Sequence, residues 1–376
     1  MFSRRAAWEL NPNPLTRLLE EKRRSGEAIV DLTVSNPTAC GLPGNREWTV
    51  SAAPYAPRAQ GQHAAREAVA AYYAAQGLTI HPEQVVLTAS TSESYALILK
   101  LLGNPEDRVL IPKPGYPLFD DLVRLEGLHP QPYAAGQIAA IRGGLEGGAV
   151  ALFIVSPDNP TGAVIDGSLR TQIVDLCRRH QIPLVADEVF LDYPAEDSKR
   201  AISSHASVSE ALCFTLSGLS KVCGLPGLKL GWIVVTGPDA LRREALARLE
   251  VIADTYLSVN QMAQQALPEL LDQRHVFQSA VRRRLGNNRD HLAKTFGAMQ
   301  SAGGGWAAVL TLPEGQQDEA FALALLHEKS TRVHPGYLFD FPQEDRIVLS
   351  LLTPEQTFAL GCDIVQKQLA LRRSSQ

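Results

Sequence analysis

Between residues 84 and 235 the chain alternates apolar runs too short for helices with stretches of helical periodicity, and this alternation restricts the fold more than any other feature. Strand-like runs fall at 84–87, 108–111, 149–155, 182–186, 211–216 and 232–235, with helical patterns at 93–102, 118–126 and 168–180 between them. Short runs that are apolar on both faces and joined by helices make a buried, mostly parallel sheet with helices on either side. The expected class is α/β.

The flanks read differently. Residues 1–40 give an irregular arm with one helix at 14–25 and a strand-like piece at 28–34, followed by loops at 35–44 and 55–61 and an Ala-rich helix at 63–76. Beyond Pro238 the pattern is helical at 240–257, 261–270 and 275–296. After three glycines at 303–305 it becomes mixed, with strands at 307–312, 332–334 and 346–351 and helices at 318–329 and 354–371. We expect a large domain over 41–275 and a smaller α+β domain built from both ends, 1–40 and 276–376.

At 376 residues the chain can bury a large core, and 45% apolar with 20% charged residues is the balance of a soluble globular protein. A net charge of −4 argues against a broad nucleic-acid surface, which needs clustered positive charge. The five cysteines (Cys40, Cys177, Cys213, Cys223, Cys362) show no paired spacing, which fits reduced thiols in the cytoplasm. No apolar run reaches membrane-spanning length, and the N-terminus has no long apolar stretch of the kind that signal peptides carry.

The stretch from Thr215 to Trp232, TLSGLSKVCGLPGLKLGW, carries the strongest chemical signal. Lys221 follows a small polar run (Ser217, Gly218, Ser220), and a rigid Gly-Leu-Pro-Gly bend separates it from Lys229. A lysine held among small residues can be desolvated, which lowers its pKa and makes it a carbonyl-capturing nucleophile; the alternative is an ordinary surface cation. Other polar groups fall at strand ends, where open α/β sheets bind ligands. Ser90, Thr91 and Ser92 follow the 84–87 run and open a helix, as an anion cradle or a plain N-cap. Asn159 lies in the SPDNPTG turn after 149–155, and Asp187-Glu188 follow 182–186. Two carboxylates directly after an apolar run call for a cationic partner.

Taken together, Tyr55, Ser90–Ser92, Tyr116, Asn159-Pro160-Thr161-Gly162, Asp187-Glu188, Ser220-Lys221, Lys229 and Arg346 resemble, in order and spacing, the class I/II aminotransferases of the aspartate aminotransferase superfamily. These are fold-type I enzymes of pyridoxal 5′-phosphate (PLP). The resemblance implies a large domain with a mostly parallel seven-stranded sheet. It implies that Lys221 forms a Schiff base with PLP and shuttles the proton, and that Asp187 pairs with the pyridinium nitrogen. Asn159 would donate to the ring O3′ and line the substrate site, and Tyr116 would stack on the ring. Ser90, Thr91, Ser92, Ser217 and Lys229 would hold the phosphate, with Tyr55 reaching the phosphate of a neighbouring subunit in a homodimer. Arg346 would grip the substrate carboxylate, with Ser35 on the N-terminal substrate loop; Arg332 is the second choice for that grip. No metal is implied.

The chain departs from the family pattern at three positions. Phe190 stands where a tyrosine usually donates to O3′, Lys229 where an arginine usually forks onto the phosphate, and Ser35 where glycine is common. The implied activity is transfer of an amino group from an amino acid to a 2-oxo acid. The alternatives are a lyase, decarboxylase or cyclising synthase of the same fold, or a sensor that binds PLP or amino acids without turnover.

Overall fold

The computed structural model describes residues 1–43, 48–50, 54–196, 203–297 and 303–373. In chain order the arm gives α1 (Pro14–Arg24) and β1 (Val30–Asp31), then α2 (His63–Ala74). The alternating region gives β2 (Val85–Thr88), α3 (Thr91–Leu102), β3 (Arg108–Lys113), α4 (Phe119–Leu125), β4 (His129–Ala134), α5 (Ile138–Glu146), β5 (Ala151–Val155), α6 (Gly167–His180), β6 (Leu184–Asp187), β7 (Cys213–Gly218), the one-turn α7 (Leu219–Val222) and β8 (Gly231–Thr236). Then follow α8 (Asp239–Thr255), α9 (Gln261–Phe296), β9 (Ala307–Thr311), α10 (Asp318–Lys329), β10 (Thr331–Arg332), β11 (His334–Pro335), β12 (Arg346–Ser350) and α11 (Glu355–Arg373).

Seven strands form one sheet in the order β2-β8-β7-β6-β5-β3-β4, parallel except for β8, which is antiparallel to both neighbours. One face packs on α3, α4 and α8 through Val86, Tyr95, Ile98, Phe119, Phe153, Phe214 and Leu249. The other face is covered by α2 and the start of α9 on one side and by α5 and α6 on the other. The sheet is thus buried on both faces, which is why its strands read as continuous apolar runs.

The remaining elements share a separate core. Leu15, Leu19, Phe321, Leu325, Ile347, Leu349, Phe358 and Val365 bring α1, α10, β12 and α11 together, with Phe277, Val281, Leu285 and Leu292 from the later part of α9. A three-stranded antiparallel sheet, β11-β12-β9, and the parallel pair β1-β10 lie here.

Three expectations need correction. The helices expected at 261–270 and 275–296 are one helix of 36 residues that holds Pro268 within it. Buried Leu267, Leu270, Leu271, Arg274, Phe277, Gln278 and Val281 continue one stripe across the expected gap. The 332–334 strand divides: Thr331–Arg332 pairs with β1, and His334–Pro335 pairs with β12. The 28–34 strand shrinks to two residues. Conversely, β4 did not show in the sequence because Pro130 and Pro132 read as breakers; it lies at the sheet edge, paired only with β3, where a missing N–H costs no ladder bond.

Candidate active site

Because β2 and β7 are both antiparallel to β8, β2 runs in the direction of β3, β5, β6 and β7. The carboxyl ends of these strands open on one edge. Ser90 follows β2, Tyr116 follows β3, Asn159 follows β5, Asp187 ends β6 and Lys221 follows β7, so topology alone gathers these expected residues.

Lys221 sits on α7 with its Nζ 4.7 Å from the ring centroid of Trp306 and 5.5 Å from that of Phe190. Part of the residue's surface stays open, yet enough protein surrounds the amine that burial pushes its pKa down to about 8, against the opposing pull of Asp187 and Cys40. Tyr193, fully buried, donates its hydroxyl to the Lys221 backbone carbonyl at 2.5 Å.

Asp187 is 8% exposed. Burial raises its pKa, while the Tyr95 hydroxyl at 2.5 Å and the Val189 amide at 3.0 Å favour the carboxylate form. Glu188 turns the other way and meets His205, whose Nδ1 lies 2.8 Å from Oε1, while the Ser204 hydroxyl donates to Oε2 at 2.6 Å. The side chain that the structure sets against the carboxylate pair is this histidine, on Glu188.

Ser90 is the N-cap of α3: its Oγ accepts from the Glu93 amide at 3.2 Å, and Glu93 reaches back to the Ala89 amide. The amides of Thr91 and Ser92, at the first helical positions, have no partner within the helix and point positive dipole outward. β8 presses close here. A Cβ on Gly231 would meet the Ser217 carbonyl at 3.1 Å, the Ser90 carbonyl carbon at 3.1 Å and the Thr88 Oγ1 at 3.2 Å, so any side chain here would push these segments apart by a few tenths of an ångström. Ser217 is enclosed, and its hydroxyl has no partner. Lys229 is exposed and holds the left-handed conformation at φ 53°, directly after the Pro226–Leu228 turn.

Tyr116 is half-buried, packs edge-on to Phe119, and has the Ser92 hydroxyl and the Asp187 charge acting on its phenol. The Asn159 turn is built by Asp158, whose Oδ2 accepts from the Thr161 hydroxyl at 2.5 Å and the Thr161 amide at 3.2 Å. Asn159 itself is half-buried.

The other expected residues arrive from outside the main sheet. Ser35 is exposed on a loop that Ser350 anchors by donating to the Val34 carbonyl at 2.7 Å. Cys40, at the end of that loop, lies within electrostatic reach of Lys221. Arg346 opens β12 with its guanidinium on Asp345, and Arg332 donates to Asp31 at 3.1 Å. Tyr55 is 66% exposed, on a loop tied to α9 by hydrogen bonds between Gln261 and both Pro54 and Ala56.

Sequence reasoning passed over Tyr95 and Trp306. Tyr95 lies four residues after Thr91, on the buried face of the same helix, so helical spacing could have found it. Trp306 sits just past the glycines 303–305, which read only as a boundary. Among the described residues no helix is long and apolar enough to cross a membrane, and no cluster of His, Cys, Asp and Glu could hold a metal.

Known proteins resemble this chain over most of its length. An alanine aminotransferase of Mycobacterium tuberculosis is 30% identical over 354 residues, covering 87% of this chain and 82% of that protein. A tyrosine aminotransferase of Bos taurus is 26% identical over 408 residues, covering 97% and 90%. Among solved structures, the alanine aminotransferase of Pyrococcus furiosus superposes with a TM-score of 0.88 at 21% identity over 99% of this chain and 100% of its own, a likeness of fold. The family model for aminotransferase class I and II matches residues 53–360, and with that match the chain belongs to the class I and II aminotransferases.

Proposed function

We propose that Lys221 carries pyridoxal phosphate and that the enzyme moves an amino group from a small neutral α-amino acid to a 2-oxo acid. The observation that carries this reading is Lys221 itself: an amine lowered to about 8 by burial and without a carboxylate ion pair among the described residues, held at the strand-end edge beside the buried Asp187. The residues fit the cofactor. A buried carboxylate suits a pyridinium N–H, the unpaired Ser217 hydroxyl and the open amides of α3 suit a phosphate, and Gly231 leaves the backbone room to approach.

When bound, pyridoxal phosphate supplies an electron sink that lets an amino acid lose its α-proton. Lys221 would hold it covalently and, once the substrate's amine had displaced it from that bond, its freed amine would be placed to take that proton and return it. Asp187, its two oxygens fixed by Tyr95 and Val189, would keep the ring nitrogen charged. Asn159 would donate to the ring oxygen, and Tyr116 would cover the ring. Ser90, Thr91, Ser92, Ser217 and Lys229 would hold the phosphate. Arg346 and Ser35 meet the substrate, and Tyr55, exposed on one chain, completes the site of a second copy in a homodimer. We divide the chain at 41–275 and 1–40 with 276–376, and place it in the cytoplasm because its five cysteines are free and buried.

The alanine aminotransferase relatives set the order of assay. Alanine with 2-oxoglutarate should yield pyruvate and glutamate in equal amounts. Release of ammonia or carbon dioxide without a new amino acid would instead support a lyase or decarboxylase.

A further inference from the structure

The glycines 303–305 deliver Trp306 to the lysine. The Gly304 amide donates to the Gly162 carbonyl at 2.9 Å, the Gly305 amide to the Tyr193 carbonyl at 2.9 Å, and the Ala195 amide to the Gly303 carbonyl at 2.8 Å. A Cβ on Gly304 would meet Pro157 Cγ at 2.7 Å and the Tyr193 carbonyl oxygen at 2.8 Å, so the segment docks this closely only without a side chain there. Trp306, 3% exposed, then packs edge-on against Phe190 with centroids 5.4 Å apart and Tyr193 at 5.1 Å. All three aromatics belong to the core formed by the arm and the C-terminal elements, so that core supplies one wall of the site.

We propose that Phe190 and Trp306 form an aromatic seat that holds the side-chain amine of Lys221 whenever it has no covalent partner, with Trp306 as its main positioning residue. The inference rests on reading Lys221 as the cofactor-carrying lysine and adds residues that the reading does not use. Aromatic faces attract an ammonium within about 6 Å of the centroid, tryptophan most strongly, and desolvation strengthens the attraction. Burial acts the other way, disfavouring the charged form. The titratable groups facing the amine are Asp187 and Cys40. The Asp187 oxygens already accept from Tyr95 and Val189. The Cys40 thiol donates to the Asn36 carbonyl at 2.9 Å, and burial pushes its pKa up to about 11, so it is neutral near pH 7. The rings therefore supply an attraction that no ion pair supplies. Tyr193 fixes the backbone end of the residue and the seat fixes the amine, so a flexible four-carbon stem is held at both ends.

The test titrates Lys221 in the full chain stripped of cofactor. Competitive acetylation by acetic anhydride across pH, read by mass spectrometry on the Lys221 peptide, gives the midpoint at which the amine becomes reactive. Trp306→Leu should lower that midpoint by about half a unit to one unit, and Trp306→Phe, which keeps a ring, should recover most of the difference. In the loaded enzyme Trp306→Leu should lower kcat more than it changes KM for the amino donor. A midpoint in Trp306→Leu equal to the parent's, or one displaced equally far in Trp306→Phe, would reduce Trp306 to packing and overturn the proposal. Should Trp306→Leu fail to fold, Phe190→Leu against Phe190→Tyr gives the same contrast. Cofactor fixed to another lysine would sink the Lys221 reading while leaving the acetylation result standing, so the two failures are distinguishable.

Discussion

The Tyr95 hydroxyl donates to the Asp187 carboxylate at 2.5 Å inside the core of the sheet, a bond between α3 and the end of β6. Burial and the Asp187 charge hold the phenol well above its usual pKa, so it is a fixed donor, and its donation favours the ionised aspartate that a pyridinium nitrogen needs. Hydrogen bonds to charged groups are worth about 1.5–3 kcal/mol. Tyr95→Phe should therefore weaken cofactor binding by up to about tenfold, since the ring nitrogen itself restores part of the loss. Fluorescence titration with pyridoxal phosphate checks this, and unchanged affinity would detach Tyr95 from the site.

Tyr193, three residues on, is the nearest hydroxyl in sequence to Phe190 and could stand in for the tyrosine missing there. Its proton goes to the Lys221 carbonyl instead, which leaves Asn159 as the assigned donor to the ring oxygen. A new hydroxyl at 190 would draw electron density from that oxygen and weaken its hold on the proton shared with the lysine nitrogen. Phe190→Tyr should shift the pH-dependent change in the cofactor's visible absorbance to lower pH. If Phe190→Tyr does nothing and Tyr193→Phe shifts the change to higher pH, the donor role returns to Tyr193.

How much of this was legible depended on what each residue answers to. Lys221, Asp187 and Asn159 stand at strand ends, and strand ends follow from the alternation of apolar runs. Trp306 and Tyr193 reach the site from the core that they share with the arm and the C-terminal elements, a relation with no local sequence period. β4 stayed hidden for a different reason: prolines forbid a central strand but not an edge one, and edge position is a property of the whole sheet. The continuity of α9 was readable from its apolar stripe, which runs through 271–274 without glycine.

Arg346 and Arg332 already face carboxylates, Asp345 and Asp31, so a substrate carboxylate would have to share either guanidinium. Arg346→Ala should weaken amino-acid binding about ten- to a hundredfold and leave cofactor binding alone, as the loss of a bidentate charged contact does. Equilibrium titration of both variants with alanine decides between them. An effect in Arg332→Ala alone would move the role to Arg332.

Asp158 gives a pH signature beside Asn159. It is 4% exposed, its Oδ1 has no partner, and burial raises its pKa from 3.8 to about 6. The folded chain therefore holds this proton more tightly than the unfolded chain. The stability it confers is complete below about pH 4 and is lost as pH rises through about 6. Asn cannot lose a proton and still offers Thr161 an acceptor. The stability of Asp158→Asn relative to the parent should rise between pH 4 and 6.5, by at most ~3 kcal/mol. Thermal unfolding across that range checks it, and a gap that stays constant with pH would contradict it.

The most direct measurement is reduction of the purified enzyme with borohydride after loading with pyridoxal phosphate, followed by peptide mapping. The loaded protein should be yellow, the label should lie on the peptide containing Lys221, and Lys221→Ala should bind the cofactor reversibly without turnover. A protein that stays colourless with the cofactor, or label on any other lysine, would contradict the assignment.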